Sequence, residues 1–211
     1  FKRKEEVYPE YTGRTALLFV INDYPGSASD LRGCVNDQEN IHESLFKKYY
    51  PDFTVLKYKN REVKTWRMKN VLRHYVGLLQ PGDFLFIHYS GHGTQGVDPF
   101  HTEADGYSEA LYLHDGPLWD YEISDILMNI PEEAKVVVAF DSCFSGGSAH
   151  RLKNHKKIRN RYTPIQDIKP EVPLRKHMLR EYKPRYILFA GCQECQTSAD
   201  AMIDGQYVGA F

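Results

Sequence analysis

Apolar residues recur along this chain in short runs separated by amphipathic stretches. The runs Thr15–Ile21, Phe53–Tyr58, Asp83–Tyr89, Ala110–Leu113, Lys135–Phe140 and Arg185–Ala190 are rich in β-branched, aromatic and other large apolar residues, and each has the length of a single strand. Between them, Cys34–Tyr50 and Glu62–Leu79 place apolar residues at helical spacing, and Tyr121–Ile130 predicts a shorter helix ending before Pro131. The order is β-α-β-α-β-β-α-β, a long segment, and a last strand. Leu17–Ile21 and Val136–Phe140 are apolar throughout rather than alternating, so both of their faces need cover. The fold expected is α/β: a mostly parallel central sheet of about six strands with helices on both faces.

In such sheets ligands sit beyond the carboxyl ends of the strands. Three polar clusters follow directly on apolar strands: Asn22-Asp23, Ser90-Gly91-His92-Gly93 and Asp141-Ser142-Cys143. All three are expected on one edge. The stretch from His150 to Arg185 differs in kind, with twelve Lys or Arg against three Asp or Glu and prolines at 164, 170, 173 and 184. It is expected to be a mobile, basic linker loop (150–185) between a large part (1–149) and a smaller one (186–211).

Composition narrows the class. At 211 residues, 42% hydrophobic and 26% charged, the chain suits one soluble globular core. A net charge of −1 gives no general attraction to nucleic acid or to an acidic membrane surface, and no apolar run approaches a bilayer span. The first residues, Phe1 to Glu6, are charged rather than signal-like, and a start at Phe1 suggests a fragment. Four cysteines, Cys34, Cys143, Cys192 and Cys195, are too few and too scattered for a disulfide framework, which favours a reducing, cytoplasmic setting. Cys192 and Cys195 form a C-x-x-C without further metal ligands nearby in sequence.

A Cys and a His at the ends of separate strands can meet as nucleophile and proton shuttle. Cys143 and His92 are the candidates. The glycines beside them let the backbone turn sharply, and the amides of Gly93 and Cys143 are free to hold a developing oxyanion. The bland alternative is a buried structural thiol and an ordinary histidine.

Four motifs resemble the metacaspases, within the caspase-like cysteine peptidases: Leu31-Arg32-Gly33-Cys34-Val35-Asn36-Asp37, His88-Tyr89-Ser90-Gly91-His92-Gly93-Thr94-Gln95, Asp141-Ser142-Cys143-Phe144-Ser145-Gly146, and Gly191 to Ala201. The resemblance implies a caspase-like sandwich and an endopeptidase that cleaves after Arg or Lys through an acyl-enzyme, with protein or peptide substrates and no organic cofactor. It implies His92, Cys143 and Gly93 as the catalytic groups. It also implies a substrate pocket lined by Asp37 and Asp141 with Cys34 and Ser90 nearby; a carboxylate pair suits a guanidinium or ammonium. On sequence alone, Asp37 could instead be a solvated helix position and Asp141 a helix cap. No third group orienting His92 is evident.

Many metacaspases hold calcium between the His and the Cys. Asp105 and Asp120 match two of those metal positions, but Tyr121 stands where a second consecutive Asp is expected, and His150 where one would follow the cysteine. With two carboxylates missing from an ion that wants six to eight oxygens, weak or absent calcium dependence is expected. The basic loop offers many Lys and Arg bonds to an enzyme of basic specificity, so self-processing there is expected, at no one bond. The resemblance favours a monomer. The alternative function is a non-catalytic caspase-like module that binds peptides in the same groove.

Overall fold

Every strand and helix expected from the pattern is present in the computed structural model, which describes residues 7–26, 29–100, 106–142, 159–161, 185–191, 199–203 and 205–209. In chain order the elements are β1 (Arg14–Val20), α1 (Cys34–Ile41), β2 (Thr54–Lys59), α2 (Thr65–Leu78), β3 (Phe84–Ser90), β4 (Gly93–Val97), β5 (Tyr107–Leu113), β6 (Gly116–Trp119), α3 (Asp120–Leu127), β7 (Lys135–Asp141), β8 (Arg159–Asn160), β9 (Ile187–Ala190), β10 (Ala199–Ile203) and β11 (Gln206–Gly209). Five of them form the central sheet in the order β2-β1-β3-β7-β9, and every pairing is parallel.

Strand alternation divides the core into two layers. Leu17 and Phe19 of β1, Leu85 and Ile87 of β3, and Val136 and Val138 of β7 face one way, onto Met68, Leu72 and Val76 of α2 and Ile123 and Leu127 of α3. Ala16 and Leu18 face the other way with Phe84 and Phe86, onto Phe46 and Phe53. Phe46 lies in a π-helical continuation of α1, His42–Lys47. Fully burying each such side chain stabilises the fold by about 1.5–3 kcal/mol, which is why β1 and β7 tolerate no polar face. Gln38 is also buried, and its amide donates to the carbonyls of Leu18 (2.9 Å) and Tyr58 (3.1 Å), tying α1 to both strands beneath it.

One expectation is revised. The run Ala110–Leu113 is a strand, but β5 pairs antiparallel with β4 and β6 in a separate three-stranded sheet, so the central sheet has five strands among the described residues. The flanking strands read GTQGV and GPLW, whose Gly and Pro hide the strand pattern. Gly96 is nevertheless required, because a Cβ there would strike the Trp119 ring.

His88 on β3 is buried, and desolvation, aided by the charge of Arg161 and opposed by Asp37, lowers its pKa from 6.5 to about 4. Between those values the unfolded chain binds a proton that the folded chain refuses. This contribution to stability is complete above pH 6.5 and is lost as the pH falls towards 4, with a full range of about 3 kcal/mol. Urea unfolding at pH 7 and pH 4.5 should therefore give a clearly lower midpoint in acid, and His88→Gln should flatten that dependence.

Candidate active site

Parallel register brings the polar strand ends together. Ser90, the last residue of β3, is the direct neighbour of Asp141, the last of β7, and of Val20 at the end of β1. The chain leaves β1 and β3 side by side: the amide of Ile21 donates to Ser90 O (3.0 Å) and that of Gly91 to Asp141 O (3.3 Å). Asp37 enters from the first turn of α1 and accepts a hydrogen bond from Ser90 Oγ at 2.8 Å. Asp37, Ser90 and Asp141 thus converge, as expected. Cys34 opens α1 one turn earlier and is fully buried in the core.

A residue outside the sequence-predicted set occupies the space between them. Arg161, from the segment read as a basic linker loop, is fully buried. Its Nη2 lies 2.8 Å from Asp37 Oδ2 and its Nη1 2.6 Å from Asp141 Oδ2; Nη1 also donates to Ser90 Oγ (2.7 Å) and to Asp141 O (3.1 Å). A buried guanidinium needs this much compensation: two carboxylates and two neutral acceptors offset the loss of water. The main chain of Arg161 is held as well, because Gly93 N–H donates to its carbonyl oxygen at 2.7 Å. β8, just before it, pairs antiparallel with β10, Asn160 opposite Ala199 and Arg159 opposite Asp200.

β11 roofs the pocket. Gly209 N–H donates to Asp37 Oδ1 at 2.8 Å, and Asn36 Nδ2 donates to Tyr207 O at 2.6 Å. A Cβ at position 209 would collide with Asp141 Oδ2 and lie 3.0 Å from both Asp37 Oδ2 and Arg161 Nη2, so only glycine lets the backbone come this close.

His92 is buried beside this pocket. Its Nε2 lies 2.6 Å from the carbonyl oxygen of Ser29. A carbonyl can only accept, so Nε2 carries the hydrogen and Nδ1 is the basic nitrogen of the neutral ring. Ser29 is thus the third orienting group that the sequence did not reveal, since a main-chain carbonyl leaves no mark in residue identity. Tyr24 packs its ring against the imidazole, with centroids 4.7 Å apart. The histidine backbone is clamped by two hydroxyls: His92 N–H donates to Tyr24 Oη (2.8 Å), and Tyr89 Oη donates to His92 O (2.8 Å), with Tyr112 O also within reach (2.9 Å). Burial pushes both phenols well above their usual pKa, so both remain O–H donors at every working pH. These hydroxyls also explain Gly91, where a Cβ would strike both of them. Tyr89→Phe should lower the unfolding free energy by about 1–2 kcal/mol, because one buried hydroxyl donor is lost while His92 O keeps only its bond from Tyr112 N–H (2.9 Å); thermal denaturation measures it.

Cys143, the next residue after Ser142, lies outside the described residues, as do Asp105, Cys192 and Cys195. Asp120 opens α3, and its Oδ1 accepts from Tyr121 N at 2.7 Å. Tyr121 stacks parallel to Trp119 with centroids 6.2 Å apart and meets Phe100 edge-on at 5.1 Å. Tyr121, at the position where the resemblance would place a second carboxylate, is thus part of an aromatic cluster. Among the described residues, the one close set of potential ligands is Glu39, His42 and Glu43 on the outer helix, where Lys57 and Lys47 already pair with the carboxylates.

A five-stranded parallel sheet with helices packed on it, and a histidine and an aspartate pair at its carboxyl edge, is the architecture of a caspase-like fold. Sequence comparison names the family within it. Residues 14–151 match the model of the metacaspase peptidase C14 domain, and the chain belongs to that family. Metacaspase-1 of Candida glabrata is 32% identical over 97% of this chain and 64% of its own length; metacaspase-7 of Arabidopsis thaliana is 37% identical over 66% of this chain and 36% of its own. The chain thus spans less than two thirds of these relatives. The crystal structure of protein GSU0716 from Geobacter sulfurreducens shares the fold with a TM-score of 0.69 at 24% identity, covering 94% of this chain and 78% of that one. No helix among the described residues is long and apolar enough to cross a membrane.

Proposed function

We propose that this domain is an endopeptidase that cuts peptide bonds after Arg or Lys, with Cys143 as nucleophile and His92 as its acid and base. The observation that carries the reading is the guanidinium held between Asp37 and Asp141 at the sheet edge beside His92. A pocket that satisfies one arginine with two carboxylates and a serine hydroxyl suits another arginine, or a lysine ammonium, by the same charge-assisted bonds. His92 Nδ1 takes the Cys143 proton, and the thiolate attacks the carbonyl carbon of the basic residue. The amide of Gly93 donates to the developing oxyanion, His92 returns the proton to the leaving amine, and water hydrolyses the thioester. Calcium has no part in this scheme. Processing within 150–185 regulates access to the site, and the enzyme works as a monomer on protein or peptide substrates in the cytoplasm.

A scan of fluorogenic peptides ending in Arg, Lys, Leu or Asp, with calcium or with chelator, tests the scheme. Cleavage should be confined to Arg and Lys, absent in Cys143→Ala and indifferent to chelator. Cleavage of none by a chain extended to the length of its relatives would favour a peptide-binding module, and loss of activity with chelator would remove the calcium-free scheme.

A further inference from the structure

We infer that Asn60 is a positioning residue for His92: its side-chain amide, just past the end of β2, anchors the chain that leaves β1, and through that chain both groups that orient the imidazole. The inference rests on the peptidase reading above for the catalytic role of His92 and adds what holds the ring in place.

The sheet register sets the geometry. Val20, the last residue of β1, lies opposite Lys59, the last of β2, so Ile21 and Asn60 leave the sheet side by side. On the β3 flank the departing chain is still held by main chain, with Ile21 N–H donating to Ser90 O at 3.0 Å. On the β2 flank a side chain takes over. Asn60 Oδ1 accepts from Asn22 N–H (2.9 Å) and Asp23 N–H (3.3 Å), and Asn60 Nδ2 donates to Asp23 Oδ2 (2.5 Å). Residue 60 has a left-handed backbone, φ 52°, which asparagine tolerates better than most residues. Glycine would serve that conformation equally well. The three bonds demand more, a group that accepts and donates at once, and all of them reach residues 37 or 38 positions away.

The anchored arm carries these contacts on to the histidine. Asn22 O accepts from Leu31 N–H (2.9 Å) and Tyr24 N–H donates to Asp30 Oδ1 (3.0 Å), so the returning arm, residues 29–31, is tied to the outgoing one, residues 22–24. The outgoing arm presents Tyr24, whose hydroxyl accepts from His92 N–H (2.8 Å), and the returning arm presents Ser29 O to Nε2 (2.6 Å). Releasing the outgoing arm from Asn60 therefore loosens both restraints on the imidazole together. The carboxylate pocket rests on other bonds, from Ser90, Arg161 and Gly209 to Asp37, so damage at residue 60 should appear mainly in kcat.

Nitrogen NMR of the imidazole and steady-state kinetics on Asn60→Gly test this, since glycine keeps the left-handed backbone and removes only the side chain. In the wild type the neutral His92 ring, its signals identified by their loss in His92→Gln, should be a single tautomer with the hydrogen on Nε2. Asn60→Gly should show both tautomers in exchange, and kcat on Arg peptides should fall roughly 10- to 10²-fold with KM nearly unchanged. Asn60→Asp sets a second carboxylate against that of Asp23 and should lose as much. Adding Asp23→Asn to it restores a donor and an acceptor with their places exchanged, and should recover most of kcat and the single tautomer. Mixed tautomers in the wild type, a single tautomer or undiminished kcat in Asn60→Gly, or no recovery in the exchanged pair would each overturn the inference. A tautomer that responds to Asn60 in a protein that hydrolyses no Arg or Lys peptide would instead sink the peptidase reading and leave the positioning of His92 standing.

Discussion

His92→Gln should lower kcat on Arg-terminated peptides by about 10²–10⁴-fold, the usual worth of a positioned acid and base. KM should change little, because the imidazole lies beside the specificity pocket and directs Nε2 to Ser29 O, whereas Arg161 is held by Asp37, Ser90 and Asp141. The structure holds the ring in one orientation. Ser29 O fixes the hydrogen on Nε2, and the hydroxyls of Tyr24 and Tyr89 hold the main chain of residue 92 from both sides. Glutamine keeps the volume but cannot shuttle a proton at neutral pH. Steady-state kinetics beside a thermal denaturation curve separate the two effects: an unchanged melting temperature with collapsed kcat is the expected result, and undiminished kcat would remove His92 from the mechanism.

Asp141→Ala should be the most damaging change in the pocket. Breaking a buried ion pair by removing one partner costs about 3–5 kcal/mol, which for a substrate arginine corresponds to a loss in kcat/KM of roughly 10²–10⁴-fold. The same substitution leaves the buried Arg161 guanidinium with one carboxylate in the unprocessed chain, so stability should fall too. Asp37→Asn should be milder in stability, since the amide oxygen can still accept from Gly209 N–H, yet it should still weaken selection for Arg. Peptides ending in Leu provide the control. The ratio of Arg to Leu cleavage should collapse in both variants; an unaltered ratio would mean that these aspartates do not read the side chain before the cut.

Much of this was legible beforehand because it is written in local patterns. The all-apolar runs at β1 and β7 imply a sheet covered on both faces, and parallel strands imply that the residues after them share an edge. Ser90, His92 and Asp141 follow from that rule alone, and Asp37 follows from the resemblance. The antiparallel sheet β4-β5-β6 was hidden, since its outer strands carry glycine and proline where strands normally advertise β-branched residues. Arg161 was hidden for a different reason. In a segment crowded with lysine and arginine, composition predicts solvation for each residue equally.

The sequence by itself determined the layered α/β fold and the strand ends that carry the chemistry, because hydrophobic periodicity and strand-end polarity are properties of neighbours along the chain. Only the tertiary structure decided what fills the carboxylate pocket, which carbonyl orients His92 and why residues 91 and 209 must be glycine. Most of those depend on groups 20 to 172 positions apart in the chain, or on main-chain atoms common to every residue, and close approach in space leaves no trace in the order of side chains.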